Sequence, residues 1–233
     1  MDEKGSKWLI INRDMDNNIF VIVDYGMGNL QSVLNAFKFL NCNAVISDKI
    51  EDVERADAVI LPGVGAFGEA MRNLKNIKMI DALNIHVMEK KKPFLGICLG
   101  MQLITLDSEE NGNHKGLGWI PGHVRMIKVP QHLRLPHIGW NDISFTKESP
   151  LFKRIINDSN FYFVHSFQVE CDARYITATC TYGAEVTAAI QERNIFATQF
   201  HPEKSQENGL RVLRGFADYV ESAKNTYLKD QSC

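Results

Sequence analysis

Apolar residues fall in two rhythms along this chain. Four-residue runs such as Phe20-Val21-Ile22-Val23 and Ala58-Val59-Ile60-Leu61 are of strand length. Between them Leu30, Val33, Leu34, Phe37 and Leu40 recur at helical spacing as one stripe. A strand that is apolar throughout is buried on both faces, so the first half predicts a parallel sheet flanked by helices. Ala44-Val45-Ile46 is the second strand, and helical sequence is expected from about Glu69 to Lys92. Pro93 stops that helix and biases the chain toward extended geometry, so Phe94-Leu95-Gly96-Ile97 is the next strand, followed by a helix over Leu99 to Leu106.

The second half is richer in short β-like runs: Val124 to Lys128, Phe161 to Val164, Tyr175 to Thr181, Val186 to Gln191 and Ile195 to Phe200. They predict a partly antiparallel extension of the same sheet. Leu210, Leu213, Phe216, Ala217 and Val220 then mark an amphipathic helix covering one face. Residues 1–18, with Asp14, Asp16, Asn17 and Asn18 clustered before the first strand, are set aside as an N-terminal extension or expression remnant. Trp8-Leu9-Ile10-Ile11 is the alternative within them, a short edge strand.

Composition narrows the class. With 233 residues and 45% hydrophobic content, one α/β domain with a substantial core is the expectation. A balance of 26 basic and 28 acidic side chains supplies no field that would draw the chain to nucleic acid or an anionic membrane. The apolar runs are too short to span a bilayer. The five cysteines, at 42, 98, 171, 180 and 233, make no CxxC pair, no zinc spacing and no even disulfide set. No metal or cofactor is therefore expected, and a reducing cytoplasm is the expected setting.

One of those cysteines is placed for chemistry. Gly96-Ile97-Cys98-Leu99-Gly100 puts Cys98 between two glycines at a strand-to-helix junction, the cysteine form of a nucleophile elbow. A helix starting at Leu99 would aim free N–H groups and the positive end of its dipole at the sulfur. A cysteine nucleophile needs a base, and the base needs an orienting group. In an extended His201-Pro202-Glu203 segment the imidazole and carboxylate, two residues apart, project to the same side. Pro62-Gly63-Val64-Gly65 offers a turn whose backbone can approach an oxyanion. Each signal alone has an ordinary structural explanation: a core cysteine, a surface turn, a tight connection. Together, at three strand ends, they describe acyl-transfer chemistry.

The segments Gly96-Ile97-Cys98-Leu99-Gly100-Met101-Gln102 and Gln199-Phe200-His201-Pro202-Glu203 resemble the class I (triad) glutamine amidotransferases. Asp24-Tyr25-Gly26-Met27-Gly28-Asn29-Leu30, Pro62 to Phe67, Lys115 to Gly118, Pro136-His137-Ile138-Gly139-Trp140-Asn141 and Phe163-Val164-His165-Ser166 are similar to the glutaminase subunits of imidazole glycerol phosphate synthases within that family. The resemblance spans roughly residues 20 to 222. It implies a flavodoxin-like α/β fold over 19–228, a mixed, mostly parallel sheet flanked by helices with the elbow after a central strand.

It also implies cleavage of L-glutamine to glutamate and ammonia. The ammonia would pass to a (β/α)8-barrel cyclase subunit, the other half of a heterodimer, which converts PRFAR to imidazole glycerol phosphate and AICAR in histidine biosynthesis. By the resemblance Cys98, His201 and Glu203 are the triad, with Leu99 and Gly63-Val64-Gly65 at the oxyanion. Gln102, Ser166 and Phe167 would lie against substrate, and His137, Trp140, Tyr162 and Lys204 at the partner interface. Phe167 stands where tyrosine is common and Arg134 where lysine is common; both bear on which partner is served. A paralogous glutaminase feeding surface-sugar amidation is the alternative acceptor, and a non-catalytic regulatory protein is the reading from another class.

Overall fold

In the computed structural model, which describes residues 18–230, the alternating rhythm of the first half becomes a run of β-α units. These are β1 (Ile19–Val23), α1 (Leu30–Phe39), β2 (Asn43–Ser47), α2 (Ile50–Arg55), β3 (Ala58–Gly63), α3 (Phe67–Asn76), α4 (Met79–Asn84), β4 (Phe94–Cys98) and α5 (Leu99–Leu103). The second half contributes β5 (Asp107–Ser108), β6 (His114–Lys115), β7 (Gly122–Met126), β8 (His137–Phe145), β9 (Ser159–His165), β10 (Phe167–Cys171), β11 (Ile176–Thr181), β12 (Glu185–Glu192) and β13 (Ile195–Thr198). The chain closes with α6 (Gln206–Asp230). The Trp8–Ile11 segment lies outside the described residues. No helix among those described is long and apolar enough to cross a membrane.

Among the described residues nine strands form one sheet, ordered β2-β1-β3-β4-β13-β12-β11-β8-β9. The first five are mutually parallel, and from β13 onward every pair is antiparallel. Alternate residues of the parallel strands feed two cores. Phe20, Ile22 and Ile60 pack with Phe37 of α1 and Phe216 of α6, while Val21, Val59 and Leu61 pack with Leu74 of α3 and Leu83 of α4. Both faces of β1 and β3 are thus covered, which is why their sequences read as unbroken apolar runs.

Three expectations are corrected. The helix expected from Glu69 to Lys92 is two helices, broken at Lys78 (φ 57°), followed by a π-helical turn over Ile85–Glu89. An uninterrupted helix would set Leu74 and Met79 about 140° apart around its axis; the break returns both to the core, where each is fully buried. The helix after Cys98 stops at Leu103 rather than Leu106, because the Thr105 hydroxyl donates to the Gln102 carbonyl at 2.8 Å and the chain turns into β5. The Val124 strand does not extend the main sheet. As β7 it joins a second, four-stranded sheet ordered β10-β7-β5-β6.

Candidate active site

The register brings the expected chemistry together. Gly63, the last residue of β3, pairs with Cys98, the last of β4, and Thr198 at the end of β13 pairs with Ile97. Three neighbouring parallel strands therefore deliver Gly63-Val64-Gly65, Cys98 and Gln199-Phe200-His201 to one edge, the carboxyl end where α/β sheets place ligand sites.

Cys98 takes φ 54° and ψ −106°, a conformation that costs a non-glycine residue about 1–3 kcal/mol. The flanking glycines make it attainable. A Cβ at Gly96 would come within 2.7 Å of the Gly100 carbonyl oxygen, and one at Gly100 would collide with the carbonyl oxygen of Leu61. The chain folds back on itself too tightly for any side chain on either flank.

His201 and Glu203 do meet, by a route other than the extended one expected. Only His201 is extended; Pro202–Lys204 is a 3-10 turn that curls the carboxylate back to the ring, and His201 Nδ1 lies 2.7 Å from Glu203 Oε1 with both side chains buried. Ser205 staples the turn, its hydroxyl donating to the His201 carbonyl at 2.7 Å and accepting from Tyr162 N–H at 3.0 Å. With Nδ1 occupied, Nε2 is the nitrogen on the Cys98 side. It has no well-formed hydrogen bond among the described residues, and Cys98 is the neighbour that acts on the ring besides Glu203. Burial alone would depress the His201 pKa. The Cys98 sulfur, by charge and hydrogen bonding, and the Glu203 carboxylate outweigh burial and push it up to about 10. The ring is thus poised to carry a proton beside the sulfur.

The other expected residues separate into groups. Gln102 is buried, its amide nitrogen 3.2 Å from the Phe167 carbonyl oxygen and 3.1 Å from Gln199 Oε1. Ser166, half-buried, accepts from Ile127 N–H through its carbonyl. Val64 is exposed at the turn beyond Gly63, and Gly65 adopts φ 105°. Trp140, Tyr162 and Lys204 form one patch: the two rings meet edge-to-face at 6.2 Å, and Lys204 Nζ lies 5.8 Å from the Tyr162 ring centre. His201 N–H donates to the Tyr162 carbonyl at 2.9 Å, so this patch adjoins His201.

His137 does not belong to that patch. Alternation along β8 turns it to the opposite, inner face, where it is 2% exposed and stacked between Phe163 and Tyr182. Its side chain lies beneath the surface rather than on it. Its Nδ1 instead lies 3.1 Å from His165 Nε2, while His165 Nδ1 donates to the Phe167 carbonyl at 2.8 Å.

Sequence reasoning passed over three nearby groups. Tyr25 donates to the Pro62 carbonyl at 2.8 Å, and its hydroxyl occupies the space a Cβ at Gly63 would need. Burial, reinforced by the Cys98 charge, holds its pKa above the ordinary tyrosine value. Glu110 accepts from Phe67 N–H at 2.8 Å and caps α3 just beyond the Gly65 turn. Gln199 presents its amide nitrogen 3.6 Å from the Cys98 sulfur. Gln199 carried a signal, being a polar residue at the end of the apolar Ile195–Phe200 run; Glu110, far from Phe67 in the chain, carried none.

Residues 21–218 match the family described as glutamine amidotransferase class-I. The chain belongs to that family. Among this amidotransferase's relatives is the Vibrio vulnificus imidazole glycerol phosphate synthase subunit HisH 2, 48% identical over 88% of this chain and 96% of that one. The Campylobacter jejuni subunit HisH 1 is 46% identical over 85% of this chain and 99% of that one. A glutamine amidotransferase from Thermotoga maritima, known from its crystal structure, shares the fold at TM-score 0.59, with 17% identity over 89% of this chain and 85% of that one.

Proposed function

We propose that this chain is the glutaminase subunit of an imidazole glycerol phosphate synthase, with Cys98, His201 and Glu203 as its triad. The observation that carries this is the imidazole held between a carboxylate and a strained cysteine at the carboxyl end of the sheet; the HisH relatives, matched over nearly their whole length, supply the pathway. The Cys98 thiolate attacks the side-chain amide carbon of L-glutamine. His201 gives its proton to the departing ammonia, leaving a thioester, and then takes a proton from the water that releases glutamate. Glu203 holds the ring and stabilises its charged form. The oxyanion lies against Leu99 N–H and the Gly63-Val64-Gly65 backbone, and Gln102, Ser166 and Phe167 border the substrate.

The ammonia goes to a (β/α)8-barrel cyclase subunit docked on the Trp140, Tyr162 and Lys204 patch. The amidotransferase domain spans 19–228, with 1–18 outside it, in the cytoplasm. Because release of free ammonia wastes glutamine, the isolated chain turns over slowly and the cyclase accelerates it. The test uses Cys98→Ala with the cyclase subunit. Glutamine-dependent synthesis is abolished, while added ammonium salt still supports the cyclase reaction. Failure of ammonium to rescue would show that Cys98 does something other than release ammonia. A complex forming only with a sugar-modifying partner would replace histidine biosynthesis by sugar amidation.

A further inference from the structure

The sulfur of Cys98 has a fully buried neighbour that the triad does not use. Gln199 follows directly on β13, with Nε2 3.6 Å from Cys98 Sγ and Oε1 3.1 Å from Gln102 Nε2. The orientation of both amides follows from one fixed point. Gln102 Nε2 lies 3.2 Å from the backbone carbonyl oxygen of Phe167, an atom that can only accept, so the group facing it is the amide nitrogen. That nitrogen's second hydrogen then meets an acceptor, which makes the facing atom on Gln199 its oxygen. The nitrogen of Gln199 is left toward the sulfur. A chain of hydrogen bonds thus ends on Cys98 with an N–H and not a carbonyl.

A donor there has a particular value in this fold. The helix after Cys98 is only five residues long, so its dipole is a weak source of thiolate stabilisation. An amide N–H at this distance from sulfur favours the anion over the thiol, and burial strengthens it. We propose that Gln199 is a positioning residue for the glutaminase reaction: oriented by Gln102, it holds an N–H against Cys98 Sγ, so that forming the sulfur anion gains a hydrogen bond that the thiol uses less well. This rests on the reading of Cys98 as the nucleophile.

Other groups face the same sulfur. His201, backed by Glu203, comes from the turn after β13, Tyr25 acts by charge from the loop after β1, and the Val164 carbonyl of β9, 4.0 Å away, accepts from the thiol and so favours its protonated form. His165 approaches His201 from β9. All remain when Gln199 is replaced, so a change in sulfur ionisation on its replacement reports the amide.

The experiment follows alkylation of Cys98 by iodoacetamide from acid to alkaline pH, quantified on the Cys98 peptide by mass spectrometry, in the full chain. Wild type is compared with Gln199→Met, Gln199→Glu and Gln102→Met, each also followed by thermal unfolding. Loss of one donor to a charged atom raises the alkylation midpoint by about one pH unit, a roughly tenfold slower reaction at neutral pH. Gln199→Glu raises it further, because a carboxylate then opposes the thiolate; Gln102→Met raises it less, by freeing Gln199 to turn. The midpoint belongs to the coupled Cys98 and His201 pair. A folded Gln199→Met with the wild-type midpoint overturns the proposal. If Gln199→Met does not fold, an unchanged midpoint in folded Gln102→Met overturns it instead. A wild-type Cys98 no more reactive at neutral pH than a cysteine of the unfolded chain overturns the nucleophile reading itself, a result distinct from the other two.

Discussion

Acidification from about pH 7.5 to about pH 4.5 strikes the two imidazoles beneath β8. His137 and His165 both titrate near 4 rather than at their ordinary 6.5. Burial penalises the charged form of each; for His165 the hydrogen bond to Phe167 partly offsets it, and the charges of His137 and His201 add to it. The two rings also lock each other neutral. His165 Nδ1 donates to a carbonyl, so its Nε2 is a lone pair that must receive the proton on His137 Nδ1. In the unfolded chain each ring gains a proton as the pH falls through 6.5, whereas the folded chain resists until about 4. The unfolded state therefore binds more protons across that window, so stability is complete above 6.5 and lost as the pH falls toward 4. At about 1.4 kcal/mol per pH unit, one ring held neutral in this way accounts for roughly 2–3 kcal/mol by pH 4.5, and because the two are hydrogen-bonded they titrate as a pair whose contributions do not simply add. Even one such contribution is a sizeable share of the stability of an ordinary domain, about 5–15 kcal/mol. Urea unfolding at a series of pH values and fixed ionic strength should show this fall, and His165→Gln should make it shallower. An unfolding free energy constant to within about 1 kcal/mol between those pH values would refute the reasoning.

Three substitutions test other parts of the arrangement. Gly100→Ala drives a methyl group into the Leu61 carbonyl oxygen and should destabilise the fold by about 3 kcal/mol or prevent it, read from urea unfolding. Tyr25→Phe leaves the buried Pro62 carbonyl without its donor. It should cost about 1–3 kcal/mol in the same measurement and lower kcat with little change in KM, because the Gly63-Val64-Gly65 backbone loses its anchor; unchanged kcat would remove Tyr25 from the account of that turn. Trp140→Ala should leave thermal unfolding unaltered and weaken cyclase binding by on the order of 2 kcal/mol, about thirtyfold, in a calorimetric titration.

What could be read from sequence followed burial on both faces. β1, β3 and β4 are apolar throughout because helices cover them on either side, and the elbow announced itself because only glycines fit at 96 and 100. β8 gave no such signal: Ile138, Trp140, Asp142 and Ser144 point outward, and Gly139 interrupts its pattern. α2 spans six residues, too few for a helical stripe to register. The destination of β7 was hidden for another reason. A strand's own sequence states which face is buried and leaves open which sheet it joins, and here pairing with β10, more than forty residues onward, decides it. Around Cys98 the meeting of His201 with Glu203 could be anticipated from residue types, whereas for Gln199 the sequence marked only a polar residue ending an apolar run, and what Gln199 and Tyr25 face depends on which atom of an amide or hydroxyl meets which neighbour.

The two faces of β8 divide the work of the molecule. Outward, Ile138 and Trp140 sit opposite Val164 and Tyr162 of β9, an exposed apolar surface next to the turn that carries His201 and Glu203. Inward, Asn141 donates to the Thr181 carbonyl at 2.9 Å and reaches His137 Nε2 at 3.3 Å. From there hydrogen bonds run through His165 and the Phe167 carbonyl to Gln102, Gln199 and the sulfur of Cys98. From His137 inward the links are polar and buried or partly buried, so a lost link leaves a donor or acceptor that water replaces poorly. The outer residues have no such obligation: Trp140 is half exposed and contributes to the fold little more than one ring contact. Substitutions one residue apart on this strand therefore act on different quantities. Those at Ile138 and Trp140 alter what the surface can bind, and those at His137 and Asn141 alter stability and the packing of the two glutamines beside Cys98.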